Sequence, residues 1–281
     1  MNYKDMKKEK VDWGLRFYRE ILKLENLHFG YWDGDSLDLE GARMSQKRYT
    51  QKLIEFIPAS VNTILDVGCG TGATAGLLKE IGYYVECVNP DRYQEKIFTR
   101  EHPDITFHRY PFGSFRTDKK FDLILMSESS QYIQTDGMIL KVKEILEEDG
   151  FLLIADYFRK TDIQFYKTCK VKDVFMNKMA EASFEVIENI DITENVIPTL
   201  TAGKKIYDDY GLPIVNYAAD YLKESLPAWI VSAGRFAFSS KIKKISRYVY
   251  EHTPEKLNED EFRKNMEYLI LLFKCNKKKG A

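Results

Sequence analysis

The chain has 281 residues, with 42 Lys and Arg against 43 Asp and Glu and a formal net charge of -1. That balance argues against nucleic acid as the main partner, and no run approaches the ~20 apolar residues that a membrane-spanning helix needs. The length is enough for a sizeable core in one or two domains, and α/β folds of this size are often single.

The opening decapeptide MNYKDMKKEK is charged and has no apolar h-region, so no secretory signal is expected. The first 60 residues read as helical around an aromatic loop, LHFGYWDGD (27–35). An alternating pattern follows. NTILDV reads as a strand, TAGLLKEI as a helix, YYVECV as a strand and DRYQEKIFTREH as a helix. DITFH is a third strand and FDLILMS a fourth; GMILKVKEILEE is a helix and GFLLIADYF a fifth strand. Short apolar runs separated by helical periodicity predict βαβ units and a parallel sheet. Beyond residue 160, IQFYKTCKVKDVFMNKMAEA reads as a helix and SFEVIENIDI as a strand. A long helical stretch with Pro198, Pro213 and Pro227 then precedes a last strand, EYLILLFKC. The expected organisation is one domain: a helical cap (1–48), a core (49–195), a helical lid inserted at 196–262, and the last strand with its tail (263–281).

Cys69, Cys87, Cys169 and Cys275 are widely spaced and form no C-x-x-C pair or Cys/His cluster. No zinc or other metal site is expected, and free thiols in a cytoplasmic protein are the simplest reading.

The stretch TILDVGCGTGATAGLL (63–78) places Asp66, Gly68, Cys69, Gly70 and Gly72 where the first strand gives way to a helix. Parallel sheets bind ligands at the carboxyl ends of their strands. Gly68 and Gly70 permit a tight turn and a close approach of backbone N–H groups to a ligand. Asp66 adds a carboxylate for a cationic or hydroxylated group. The spacing D-x-G-x-G-x-G differs from the dinucleotide fingerprint G-x-G-x-x-G, and the Lys and Ser/Thr of a P-loop are missing.

ILDVGCGTG closely resembles the first motif of the class I S-adenosylmethionine-dependent methyltransferases. The resemblance is good over about residues 50 to 160 and looser elsewhere. It implies a Rossmann-like α/β fold, a seven-stranded, mostly parallel sheet with a reversed last strand, and S-adenosylmethionine as methyl donor. SFEVIENIDI then fits the sixth strand and EYLILLFKC the reversed seventh. The motif style is similar to the tocopherol, sarcosine and cyclopropane-synthase-like group.

The same resemblance assigns roles position by position. Asn89, before Pro90, takes the place of the ribose-binding acid, and Gln94 matches a glutamine of that group. Phe112, in Tyr110-Pro111-Phe112, takes the adenine position, where the usual carboxylate is missing. The backbone of Ser127 faces the methionine part of the cofactor. Glu128 matches the first Glu of the tocopherol-type motif, while Gln131 and Tyr132 replace its Glu-His pair. That replacement argues against a cyclopropane synthase, which uses carboxylate and His groups here. In the loop LHFGYWDGD and its approach, Tyr18 and Tyr31 are candidates for the cofactor's carboxylate. Trp32 either walls the pocket, with its π face to the sulfonium, or anchors the N-terminal helices. His28 is either a base or a satisfied core histidine.

Transfer from a sulfonium is an in-line displacement in which the protein supplies orientation and a dry pocket. Glu128, Tyr132 and Asp156 are the candidate bases, Asp156 being equally readable as a cap. The small-molecule acceptor, methylated at C, N or O, is expected beneath the lid near His28, Gln131, Trp229, Phe236 and Phe238. In 225–250, the apolar residues run into Lys241, Lys243, Lys244 and Arg247, a pattern that fits either a peripheral membrane contact or a solvated lid face. A lipid, isoprenoid or quinone acceptor, a non-catalytic cofactor-binding protein and, more distantly, an NAD-dependent dehydrogenase are the competing readings. Composition leaves the oligomeric state open.

Overall fold

Period-two alternation of apolar side chains dictates the sheet. In a computed structural model describing residues 12–164, 166–237 and 239–276, neighbouring residues of one strand feed two separate cores. Ile64 belongs to one core and Leu65 to the other. Leu123 and Ile124, Leu153 and Ile154, and Ile270 and Leu271 divide in the same way. Such strands are apolar on both faces, as expected of a sheet covered by helices on each side.

The strands are β1 (Thr63–Val67), β2 (Tyr84–Val88), β3 (Thr106–His108), β4 (Phe121–Ser127), β5 (Leu146–Arg159), β6 (Phe184–Asp191) and β7 (Met266–Cys275), in the order β3-β2-β1-β4-β5-β7-β6. The first five pair in parallel, whereas β7 runs antiparallel between β5 and β6. This is the seven-stranded, Rossmann-like sheet with a reversed last strand that the sequence implies.

Helices α1 (Trp13–Arg16) and α2 (Leu39–Glu55) precede the sheet. Asp38 starts α2 by accepting from the Gly41 N–H at 2.9 Å, which satisfies one of the donors a helix start leaves open. Crossovers are made by α3 (Ala73–Glu80), α4 (Arg92–Glu101), α5 (Thr135–Ile145) and α6 (Lys172–Glu181). Asp91 caps α4 through the Gln94 N–H at 2.8 Å. Between β6 and β7 lie α7 (Thr193–Val196), α8 (Pro198–Ile206), α9 (Leu212–Ser225), α10 (Ala228–Ala237), α11 (Ser239–Arg247), α12 (Thr253–Lys256) and α13 (Glu259–Asn265). Leu200 of α8 and Phe262 of α13 are buried in the core that contains Tyr49 and Tyr268, whereas no residue of α9 is buried.

Two elements differ from the pattern read in the sequence. The helix in GMILKVKEILEE ends at Ile145, because Leu146 pairs with Phe121 and begins β5, ahead of a bulge. In IQFYKTCKVKDVFMNKMAEA only Lys172–Glu181 is helical. Tyr166 holds a left-handed backbone, φ 50°, which interrupts a helix. Farther on, the Lys170 carbonyl accepts from the Arg159 N–H at 2.8 Å. The charged N-terminal decapeptide and Phe238 lie outside the described residues.

Gly72 closes the turn after β1 at φ 97°. A Cβ there would stand 2.6 Å from Phe98 and from His102, so both the backbone and the space demand glycine. We expect Gly72→Ala to lower stability by ~1–3 kcal/mol, through backbone strain and overpacking against α4. The urea unfolding midpoint measures it, and an unchanged midpoint would contradict this account of the turn.

Candidate active site

The carboxyl ends of β1, β2 and β4 open onto a cavity of about 490 Å³. Asp66, Gly68, Cys69, Gly70, Asn89, Pro90, Gln94, Phe112, Ser127, Glu128, Tyr132 and His28 all line it. Glu25, Asn26, Leu27, Thr71, Thr74, Ser129 and Ile133 line it as well. Three of the lining side chains are carboxylic acids, and none is a lysine or arginine.

Gly68 and Gly70 hold left-handed backbones, φ 81° and 60°. A Cβ on Gly68 would stand 2.4 Å from that of Ser129, so this glycine lets the loop after β4 approach β1. Ser129 fastens the approach by donating its hydroxyl to the Val67 carbonyl at 2.5 Å. Beneath the turn, Asp66 is 3 % exposed and its Oδ2 is buried without a hydrogen-bond partner. Burial alone pushes this carboxyl up to about 7. An unpaired carboxylate at this depth is costly, and a cationic or N–H-bearing ligand above it would remove the cost.

At the rim, Asn89 donates its amide to Gln94 Oε1 at 2.6 Å and accepts from the Asp91 N–H at 3.0 Å. Each use leaves one amide hydrogen and one lone pair for a ligand hydroxyl. Phe112 has two roles: it borders the cavity, and its ring, 5 % exposed, packs in the core beneath α5.

Glu128 sits at the opposite wall, just past β4, with a left-handed φ of 49°. Its N–H donates to the Ala155 carbonyl at 2.8 Å, which pins this unusual backbone against β5. Its Oε1 accepts from the Phe29 N–H at 2.7 Å and from the Tyr268 hydroxyl at 2.8 Å. Burial pushes the carboxyl up to about 8; the two donors lower it and Asp156 raises it. His28 stacks on Tyr49 at 4.3 Å and donates Nδ1–H to the Phe29 carbonyl at 2.7 Å. Its Nε2 therefore carries the lone pair, and it is buried without a partner. Burial pushes the imidazole down to about 4, so it is neutral at ordinary pH.

Other expected site residues stand elsewhere. Trp32 is 5 % exposed and donates its indole N–H to the Thr199 hydroxyl at 2.8 Å. It anchors the aromatic loop to α8 and is not among the cavity-lining residues. Tyr31 packs against the core of Tyr49 and Tyr268, and Tyr18 is exposed; neither lines the cavity. Asp156 is 1 % exposed and accepts from the Ser130 hydroxyl and from the Gln131 and Tyr157 N–H groups. It braces the turn behind the wall and has no face on the cavity, although burial lifts it to about 6. Gln131 is spent on Tyr157 and Cys169 in the same layer. Trp229 and Phe236, on α10, are 73 % and 89 % exposed and line no wall. Tyr49 and Tyr268 are the residues that sequence reasoning missed. They stand 219 positions apart, and no local pattern marks either.

Residues 42–182, half of the chain, match the family model described as a methyltransferase domain. The chain is 24 % identical to the methyltransferase GfsG of Streptomyces halstedii, across 73 % of this chain and 81 % of that protein. It is 28 % identical to the O-methyltransferase cnsE of Penicillium expansum, across 67 % and 74 %. In fold it is similar to the geranyl diphosphate C-methyltransferase of Streptomyces coelicolor, with a TM-score of 0.67 at 11 % identity, covering 92 % of this chain and 91 % of the other. Together with the glycine turn and the acid-lined cavity, the matched half of the chain makes this protein a member of the methyltransferase-domain family, a class I S-adenosylmethionine-dependent methyltransferase.

Proposed function

We propose that the cavity binds S-adenosylmethionine along the turn after β1 and that the protein transfers its methyl group to a small, apolar or aromatic acceptor placed on the Glu128 side. The observation that carries this reading is the unpaired, buried Oδ2 of Asp66 beneath the glycine turn, in a cavity lined by acids and by no lysine or arginine. Such a lining favours a ligand of positive charge. When bound, the cofactor supplies an electrophilic methyl group on a sulfonium. Asp66 and the glycine turn hold the nucleoside amino acid, Asn89 and Gln94 take its hydroxyls, and Pro90 and Phe112 flank the base. The loop at residues 25–28 forms another wall and keeps water from the reacting atoms. Orientation and dryness are the main contributions such a site makes to a displacement.

A second reading takes the acceptor to be a lipid, isoprenoid or quinone, with α10 and α11 touching a membrane surface. Exposure of Trp229 and Phe236 next to the exposed Lys241, Lys243, Lys244 and Arg247 favours it. Co-sedimentation with phosphatidylglycerol vesicles, lost at high salt, is its expected result. The same pelleting with neutral vesicles, or none with either, would remove it.

For the cofactor site, Asp66→Ala should weaken S-adenosylmethionine binding by ~1–3 kcal/mol, a five- to roughly 150-fold rise in Kd. Calorimetry reads it directly, and unchanged affinity in a folded variant would count against the placement.

A pH dependence follows from the raised carboxyl of Glu128. Its ionised form attracts a sulfonium and is indifferent to the neutral thioether of S-adenosylhomocysteine. Below its folded pKa the group is neutral, so the preference for the methylated cofactor should grow as pH rises through about 8. A gain of roughly 3- to 30-fold corresponds to ~0.7–2 kcal/mol of Coulomb attraction at an effective dielectric near 20. Titrating both cofactors from pH 6 to 9 checks it, and Glu128→Gln should flatten the ratio.

A further inference from the structure

Three hydroxyl groups from distant parts of the chain meet behind Glu128. Tyr49 of α2 lies 2.7 Å, oxygen to oxygen, from Tyr268 of β7 and 3.0 Å from Ser127 Oγ of β4. Tyr268 in turn donates to Glu128 Oε1 at 2.8 Å. We propose that Tyr49 and Tyr268 are positioning residues that hold Oε1 of Glu128 in an oriented hydroxyl chain and so dedicate Oε2 to the methyl acceptor, which is an alcohol or a phenol. This deepens the methyl-transfer reading above and rests on it.

The direction of the chain follows from counting protons. A phenol has one proton to give. Tyr268 spends its proton on Oε1, so its oxygen must accept from Tyr49. Tyr49 has then spent its own and must accept from Ser127. All three dipoles point toward Oε1, and aligned hydrogen bonds polarise one another. Both tyrosines are 0 % exposed, so no water competes for their hydroxyls. Burial raises both phenols, which keeps them neutral donors.

The Phe29 N–H is the second donor to the same oxygen, at 2.7 Å. Oε1 is thereby saturated, while Oε2 has no hydrogen-bond partner among the described residues and belongs to a side chain that lines the cavity. The arrangement holds in either protonation state, since the carbonyl oxygen of a neutral carboxyl accepts the same two bonds and its proton then resides on Oε2. One oxygen is structural and the other is available for chemistry.

That division fits an O–H acceptor. As the new O–CH₃ bond forms and the bond between methyl and sulfonium sulfur breaks, the acceptor's O–H bond breaks and its proton passes to Oε2. The sulfur keeps the electron pair as a neutral thioether, and the carboxylate becomes a neutral acid. A positive and a negative charge are consumed together, which a desolvated cavity favours. The proton on the attacking oxygen becomes strongly acidic during transfer, so a carboxylate suffices as base. A neutral amine needs no base to attack, and an unactivated carbon acid needs a stronger one. Glu128 is also faced by Asp156 and Tyr157 of β5, by Tyr132 and by His28, which supply no cation to hold the carboxylate ionised. The hydroxyl chain and the Phe29 N–H are what favour the charged form; burial outweighs them, so the carboxylate is reached as pH rises through about 8.

The test uses the full chain with ¹³C-labelled glutamate carboxyls, without cofactor or acceptor. Glu128, identified by its loss in Glu128→Gln, should titrate above ordinary glutamates. Tyr268→Phe removes one donor to the charged form and should raise the midpoint by about one pH unit. Tyr49→Phe should raise it by less, and it carries the test alone if Tyr268→Phe does not fold. With an alcohol or phenol acceptor, the acidic limb of kcat should move up in pH by the same amount, and so should the pH at which the preference for S-adenosylmethionine over S-adenosylhomocysteine grows. Midpoints that do not move in either variant would overturn the proposal, as would turnover of amines or carbon acids in preference to hydroxyls. Shifted midpoints together with no binding of S-adenosylmethionine by calorimetry would overturn the methyl-transfer reading and leave the hydroxyl chain standing.

Discussion

Carboxyl groups withdrawn from water, two of them on a cavity that no lysine or arginine lines, are the constraint on which the rest of this structure depends. Asp66 lies below the turn after β1, Glu128 just past β4, and Asp156 within β5. Burial raises all three. The sheet meets this cost in three different ways. Asp156 is matched by three donors of its own chain, and it is spent on structure. Glu128 has donors on one oxygen only. Asp66 has a buried oxygen with none. That gradation separates a spent acid from open ones more sharply than residue type does, because all three are acids at the tips of neighbouring strands.

The geometry follows from how the strand tips are brought together. Glycine at position 68 lets the loop carrying Ser129 approach the first strand within the space a side chain would take. The left-handed backbone of Glu128 is tied down by Ala155 on one side, and its side chain by Phe29 and Tyr268 on the other. Phe29 is held from both ends, since its carbonyl also accepts from His28. The N-terminal loop is thus both a wall of the cavity and part of the apparatus that orients Glu128. Trp32 secures the same loop to the insertion through Thr199 of α8, so the N-terminal loop, the sheet and α8 meet at one place.

Several cavity-lining residues were legible because they sit in one short stretch. Asp66, Gly68, Cys69 and Gly70 are contiguous in TILDVGCGTG, and their spacing carries their geometry with it. Asn89, Gln94, Ser127 and Glu128 came from the family resemblance, position by position, and they line the same cavity. Trp32 takes the anchoring one of its two expected roles, and Gln131 stands off the cavity, for a common reason: both are polar-tipped side chains whose partners, Thr199 and Tyr157, come from other elements. Trp229 and Phe236 were expected under a lid, but the helix that carries them presents them to solvent.

The sequence by itself determined the alternation of strands and helices and the glycine turn after the first strand, and its family resemblance implied the reversed final strand. The alternation and the turn rest on local periodicity and on glycine's freedom at positive φ, both of which are written in consecutive residues. Only the tertiary structure decided which acids are satisfied and which are left open. Tyr49 and Tyr268 reach Glu128 from elements 219 positions apart, and a hydrogen-bond partner is fixed by distance and angle in space. No spacing along the chain encodes it.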